Sequence, residues 1–149
     1  GQMGVWDWDA ASDVTRWDEA QRNMYGVGPD FAPGTSAFMD FVHPDDHPAL
    51  NAKVAASLES GGVLETEFRI RRTDGEERWL AVRSLSSRRD GALAGMVGVS
   101  IDVTDRKRAE SELRTSEARL AAELSASQAL QRISTQIMSE HEPDALYSA

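Results

Sequence analysis

The 149-residue chain is 40% hydrophobic and 28% charged, enough for one ordinary core. Its formal net charge of −9 argues against nucleic acid or an anionic membrane surface as a partner. It has no cysteine, which excludes disulfides, thiolate nucleophiles and cysteine-ligated zinc or iron–sulfur centres.

No apolar run approaches the roughly 20 residues of a membrane span, and no signal-peptide pattern opens the chain, so a cytoplasmic location without direct membrane contact is expected. Gly1-Gln2-Met3 reads equally as residues left by cloning. Composition changes character once. Every Trp, Phe and Gly precedes Thr104, whereas Asp105 to Ser139 has neither Gly nor Pro and is dominated by Ala, Glu, Arg, Leu, Ser and Gln. That contrast predicts a compact domain over 4–104 followed by a continuous helix over 105–139.

In chain order, Val5-Trp6-Asp7-Trp8-Asp9 and Val14-Thr15-Arg16-Trp17 flank a turn at Ala11-Ser12-Asp13 and predict a hairpin. From about Glu19 to Leu58, apolar residues lie between Gly-Pro and Pro-Gly breaks, the pattern of short helices joined by turns. Pro44 or Pro48 is placed to begin the helix carrying Leu50, Val54 and Leu58, and Gly61-Gly62 to end it against a sheet. Leu64 to Arg72 puts Leu64, Phe68 and Ile70 on one strand face; Asp74-Gly75 then turns the chain into Arg78 to Leu85. The last strand sets Val97, Val99, Ile101 and Val103 against Gly98, Ser100, Asp102 and Thr104, which predicts a buried apolar face. Together these elements predict an α+β fold: a five-stranded antiparallel sheet with short helices on one face, then a long C-terminal helix.

Five segments carry a family resemblance through their order and spacing: Gly4 to Asp9, His43-Pro44-Asp45-Asp46, Phe68 to Gly75, Arg78-Trp79, and Gly98 to Lys107. The chain from about Gly4 to Ala109 resembles PAS domains of the PAC-containing type. That resemblance implies a sensory module that binds a small ligand or cofactor, or dimerises, and passes the result to an attached output domain such as a histidine kinase or a cyclic-dinucleotide enzyme. It also implies that Asp102 and Thr104 tie the last strand to the following helix. From the residues themselves, Thr104 is placed to cap the first helical turn and Asp105 suits its positive end, so that strand movement would be felt by the helix. Simple capping without switching explains the same residues.

Along the helix, Leu113, Leu120 and Leu124 form a heptad fragment, weakened by Glu110 and Glu117 at neighbouring core positions. Leu130, Ile133 and Ile137 form a second stripe one residue out of register, so a discontinuity is expected near Ser125 to Ser127. Such stripes ask for a partner, and a parallel homodimer through this helix is the expected one. The segment from Leu130 to Tyr147 resembles the first helix of a GAF domain, which makes 140–149 the start of a further, truncated module.

His43, Asp45, Asp46 and His47 offer metal-ligand chemistry within five residues, but the flanking prolines favour helix capping. The pairs Asp7 with Asp9 and Glu65 with Glu67 alternate on strands with apolar opposite faces and read as solvated rather than catalytic. No nucleotide-binding glycine motif, nucleophile elbow or kinase signature is present, so no catalytic residue and no metal site are expected; a metal-dependent enzyme is the remote alternative. Flavin-adduct photochemistry needs a cysteine that the chain lacks. Haem or flavin sensing stays as the alternative to a cofactor-free module, with His47 near the helix start as the haem ligand to test. A ligand of unknown identity would sit between sheet and short helices, among Met24, Phe38, Phe41, Val42, Phe68 and Trp79, residues that would equally fill a packed core.

Overall fold

The computed structural model describes residues 2–141. Two units divide the chain, 1–105 and 106–149. The first unit holds a five-stranded antiparallel sheet of β1 (Met3–Asp9), β2 (Val14–Trp17), β3 (Val63–Arg71), β4 (Glu77–Arg89) and β5 (Ala92–Asp102), in the order β2-β1-β5-β4-β3. Helices α1 (Glu19–Tyr25), α2 (Thr35–Phe41) and α3 (His47–Ser60) connect β2 to β3, with a single 3-10 turn at Pro44–Asp46. The α+β expectation is met element for element.

Local chemistry explains the boundaries. Asp18 caps α1 by accepting from the Gln21 N–H at 2.8 Å. Helix α2 begins at Gly34, which has no side chain to cap it, and Asp13 supplies the carboxylate from the β1–β2 turn, accepting from Thr35 N at 3.1 Å and Thr35 Oγ1 at 2.6 Å. Those bonds hold the Asp13 carboxyl below its ordinary value. Pro48 lies in the first turn of α3, and Gly61, at φ 68°, ends it in the left-handed region that glycine adopts without strain.

The core of this unit joins Trp17, Met24, Tyr25, Val42, Leu50, Phe68, Ile70, Leu80 and Val82, all buried between the sheet and the three helices. Burial pushes the Tyr25 phenol well above its ordinary value, so the side chain stays neutral wherever the fold survives. Strand β3 behaves as its alternation predicts, with Leu64, Phe68 and Ile70 inside.

Strand β5 does not. Its buried positions are Gly95, Met96, Gly98 and Ser100, while Val97 and Ile101 lie on the outer face at 49% and 38% exposure and Val99 is half-buried. The reason lies on the neighbouring strand: Trp6 pairs with Gly98, and a Cβ at residue 98 would collide with the Trp6 ring. Indole from β1 fills the volume above β5, so β5 must be small there.

Helix α4 (Thr104–His141) runs 38 residues, about 57 Å at 1.5 Å per residue. It is continuous through Ser125 to Ser127, where the register change of the apolar stripe had led us to expect an interruption. A register offset in side chains need not break a backbone built from strong helix formers. Of the GAF-like start at 140–149, Glu140 and His141 end α4 and the remainder lies outside the described residues. No helix among the described residues is long and apolar enough to cross a membrane.

Candidate functional site

Two features of the first unit concentrate polar or ligand-accessible chemistry: the junction of β4, β5 and α4, and a cavity under the helices. At the junction, β5 ends at Asp102 and α4 starts two residues later, with no flexible spacer. One oxygen of Asp102, Oδ1, accepts from the Thr104 N–H at 2.9 Å and from the Thr104 hydroxyl at 2.5 Å. Its other oxygen accepts from Arg78 Nη1 at 3.0 Å. The Thr104 hydroxyl in turn accepts from the Trp79 N–H at 2.9 Å, and Val103 N–H donates to the Trp79 carbonyl at 2.9 Å.

The side chain that accepts from the first helical N–H is therefore Asp102, not Thr104. Thr104, 3% exposed, spends its hydroxyl on β4, accepting from the Trp79 N–H one residue before β4 first pairs with β5 at Leu80 and Asp102. Asp105 lies exposed in the first turn, where its charge suits the helix dipole. Arg78, marked in the sequence only as part of the Arg78-Trp79 segment and given no role there, is held between Glu76 and Asp102 at 3.0 Å each, and these partners raise its pKa. Only the distant pairing of β4 with β5 brings it there.

Between the sheet and α1, α2 and α3 lies a cavity of about 280 Å³. Of the six candidate pocket residues, Phe38 and Phe68 line it. Met24, Phe41 and Val42 pack into the core instead, with Phe41 edge-on to Tyr25 at 5.3 Å. Trp79 is on the opposite sheet face, under the Arg69 guanidinium at 5.4 Å, because it alternates with the buried Leu80. The lining that sequence reading missed includes Trp6, Trp8 and Trp17 on the hairpin, Tyr25 and Gln21 on α1, and Ser100. Period-two aromatics at Trp6 and Trp8 were the available signal. Trp8 is oriented by its Nε1–H donating to Asp13 at 2.8 Å.

The His43 to His47 cluster is used structurally. His43 Nδ1 accepts from Asp45 N–H at 3.1 Å, and His47 Nε2 donates to the Val42 carbonyl at 2.9 Å. Asp46 receives a two-pronged bond from Arg69 at 2.7 and 3.0 Å plus the Arg69 N–H at 2.8 Å, which fastens the start of α3 to β3 and holds the Asp46 carboxyl below its ordinary value. No set of three or more metal-ligating side chains occurs among the described residues. No histidine lines the cavity and His47 is committed to a backbone carbonyl, so these residues do not fit a histidine-ligated haem.

The family model described as the PAS fold matches residues 14–100. The chain belongs to the PAS-fold family. This PAS chain is 27% identical over 119 residues to the sensor protein FixL of Bradyrhizobium diazoefficiens, covering 79% of the chain and 24% of that protein. It is 25% identical over 120 residues to the probable diguanylate cyclase DgcE of Escherichia coli, covering 80% of the chain and 11% of that protein. Among solved structures, a sensory box histidine kinase/response regulator from Burkholderia thailandensis superposes with a TM-score of 0.69 at 31% identity, over 79% of this chain and 89% of that one. The PAS chain thus spans about a quarter or less of these two relatives and matches nearly all of the solved domain.

Proposed function

We propose that this PAS domain is the sensory and dimerisation module of a larger signalling protein, and that it relays conformational change through α4 to an output domain in cis such as a histidine kinase. One observation carries the reading. Asp102 and Thr104 bind β4, β5 and the first turn of α4 into one hydrogen-bonded unit, so a displacement of the sheet moves the helix start with it. The relative named as a sensor protein supports the same role, and the small share of both relatives' length that matches supports a separate output domain. The reading assigns no catalysis to these residues, keeps the module cytoplasmic, extends the likeness to the PAC-containing type, and takes 140–149 as the start of a GAF domain.

Helix α4 supplies the dimer contact in this reading. Leu113, Leu120, Leu124, Leu130, Ile133 and Ile137 are all more than half exposed, from 52% to 68%, an apolar row that a second copy of the helix would cover. The two registers of that row give a parallel pair two alternative ways to meet, a suitable basis for a two-state relay.

The decisive experiment substitutes Asp102→Ala or Thr104→Val in the full-length protein. Output activity should lose its dependence on stimulus while circular dichroism of the domain is retained; unchanged regulation in both variants would remove the relay reading. Sedimentation of the fragment tests the dimer separately, with Leu120→Glu expected to give monomers. A Soret or flavin band in the purified protein would replace the cofactor-free reading with a redox or gas sensor.

A further inference from the structure

We infer that the cavity of the PAS lobe takes an uncharged aromatic molecule of about two fused rings carrying one hydrogen-bonding N–H or O–H, which Gln21 and Ser100 recognise. This ligand class rests on the sensory reading above and deepens it.

Size comes first. An engineered apolar cavity of about 150 Å³ binds benzene. On that scale a cavity of about 280 Å³ takes about 11 non-hydrogen atoms, the size of indole or naphthalene and well short of a flavin with its phosphate.

Charge comes second. No Asp, Glu, Lys, Arg or His lines the cavity. An ionised ligand would leave its hydration shell without meeting an opposite charge, so carboxylates, phosphates and amines are disfavoured.

The walls set the shape. Trp6, Trp8, Trp17, Tyr25, Phe38 and Phe68 present ring faces and edges, with Trp17 and Tyr25 centroids 4.4 Å apart and Phe38 and Phe68 centroids 5.9 Å apart in an edge-on pair. A flat π-system stacks and packs edge-on against such walls better than an alkyl chain of equal volume.

The polar end is defined by two side chains. Gln21 is 2% exposed and Ser100 is 1% exposed, both line the cavity, and neither Gln21 Oε1 nor Ser100 Oγ has a hydrogen-bond partner in the protein. They lie at one place: Gln21 packs over Gly4, where a Cβ would collide with it, and Gly4 pairs with Ser100 across β1 and β5. A buried amide and hydroxyl left unbonded are costly, and the cost is recovered by a ligand that bonds to them. The Gln21 amide can offer either its oxygen or its NH₂ by a half-turn, and the Ser100 hydroxyl both donates and accepts, so one N–H or O–H on the ligand suffices.

The test uses the purified protein and five compounds: indole, naphthalene, benzene, indole-3-acetate and flavin mononucleotide. Binding is read by calorimetry. Indole should bind saturably below about 1 mM, with naphthalene and benzene progressively weaker and the two anions at least about tenfold weaker than indole. Gln21→Leu should weaken indole about tenfold and change naphthalene less than about twofold; Ser100→Ala is the second, milder variant and should move the same ratio in the same direction. Absence of saturable binding by indole and naphthalene, or equal binding of indole-3-acetate, overturns the ligand class. Tighter binding of flavin mononucleotide overturns its size, and an unchanged indole-to-naphthalene ratio in both variants overturns the polar end. None of these outcomes touches the relay, which Asp102→Ala tests by output activity rather than by binding.

Discussion

Strands β3 and β5 lie on either side of β4, and both alternate small or polar with branched apolar residues, yet they turn opposite sets toward the helices. In β3 the bulky set is inside: Leu64, Phe68 and Ile70 are 5%, 2% and 0% exposed. In β5 the inner set is Met96, Gly98 and Ser100, small where Gly98 lies under Trp6 and Ser100 beneath Gln21, and the branched set is more exposed on the other face. What decides is where the filling volume comes from. Helix α3 packs on β3, leaving that strand to supply its own bulk, whereas the Trp6 indole projected from β1 lies across β5. A strand roofed by its neighbour's tryptophan needs glycine there, and its branched residues are released to the other face.

The sharpest test of the β3 half of this contrast is Phe68→Ala. Phe68 is 2% exposed and meets Phe38 edge-on at 5.9 Å, so its removal should cost about 3–5 kcal/mol in urea unfolding. A loss below about 1 kcal/mol would mean that the space over β3 is filled by something other than the strand itself.

Gly98→Val tests the β5 half, with a smaller expected effect. The new side chain would meet the Trp6 ring and Ser84 Cβ, and over-packing of this kind costs about 1–3 kcal/mol. A variant as stable as the wild type would mean that Trp6 does not lie on residue 98. Trp6 fluorescence should also shift, since the ring must move to make room.

These two strands also mark how far sequence carries. Binary alternation located β3 and its inner face, Asp74-Gly75 located the next hairpin, Gly61 located the end of α3, and the glycine-free stretch after Thr104 located α4. Alternation is symmetric, however, and says only that two faces differ. For β5 the deciding contact was Trp6 on Gly98, a pairing of residues 92 positions apart that no local window contains. The candidate site fared alike: Asp102 and Thr104 were legible as a junction, but Thr104's bond to Trp79 N–H, Arg78's bond to Asp102 and the convergence of Gln21 with Ser100 all depend on strand register. Trp79 read as a pocket residue because it is large and aromatic; its place beside Leu80 sends it to the other face.

A third prediction concerns how the helix layer is fastened over β3. Asp46→Asn keeps the shape but removes the charge that receives Arg69, and because the pair is partly exposed the loss should be about 1 kcal/mol at neutral pH. The Arg69 bonds depress the Asp46 carboxyl below its ordinary 3.8, so its stabilisation is fully present above that value and disappears as pH falls through the lower folded value. The stability gap between wild type and variant should therefore stay constant from neutral pH down to about pH 4 and close below it. A gap that widened toward acid would show that the carboxyl is not the stabilised form.

The smallest effect belongs to the outer face of β5, and it is the one that can break the contrast most cleanly. Val97 and Ile101 are 49% and 38% exposed, so Val97→Thr and Ile101→Thr exchange a methyl or ethyl group for a hydroxyl largely in water. Each should change folding stability by no more than about 0.5 kcal/mol, well below the cost of the inner-face substitutions. Threonine keeps the branched Cβ that suits a strand, so backbone propensity does not confuse the result. If either variant instead loses more than about 1 kcal/mol at high protein concentration and recovers on dilution, those side chains are covered in solution and β5 is packed on both faces. The asymmetry between β3 and β5 would then describe two differently filled interiors rather than one buried face and one open one.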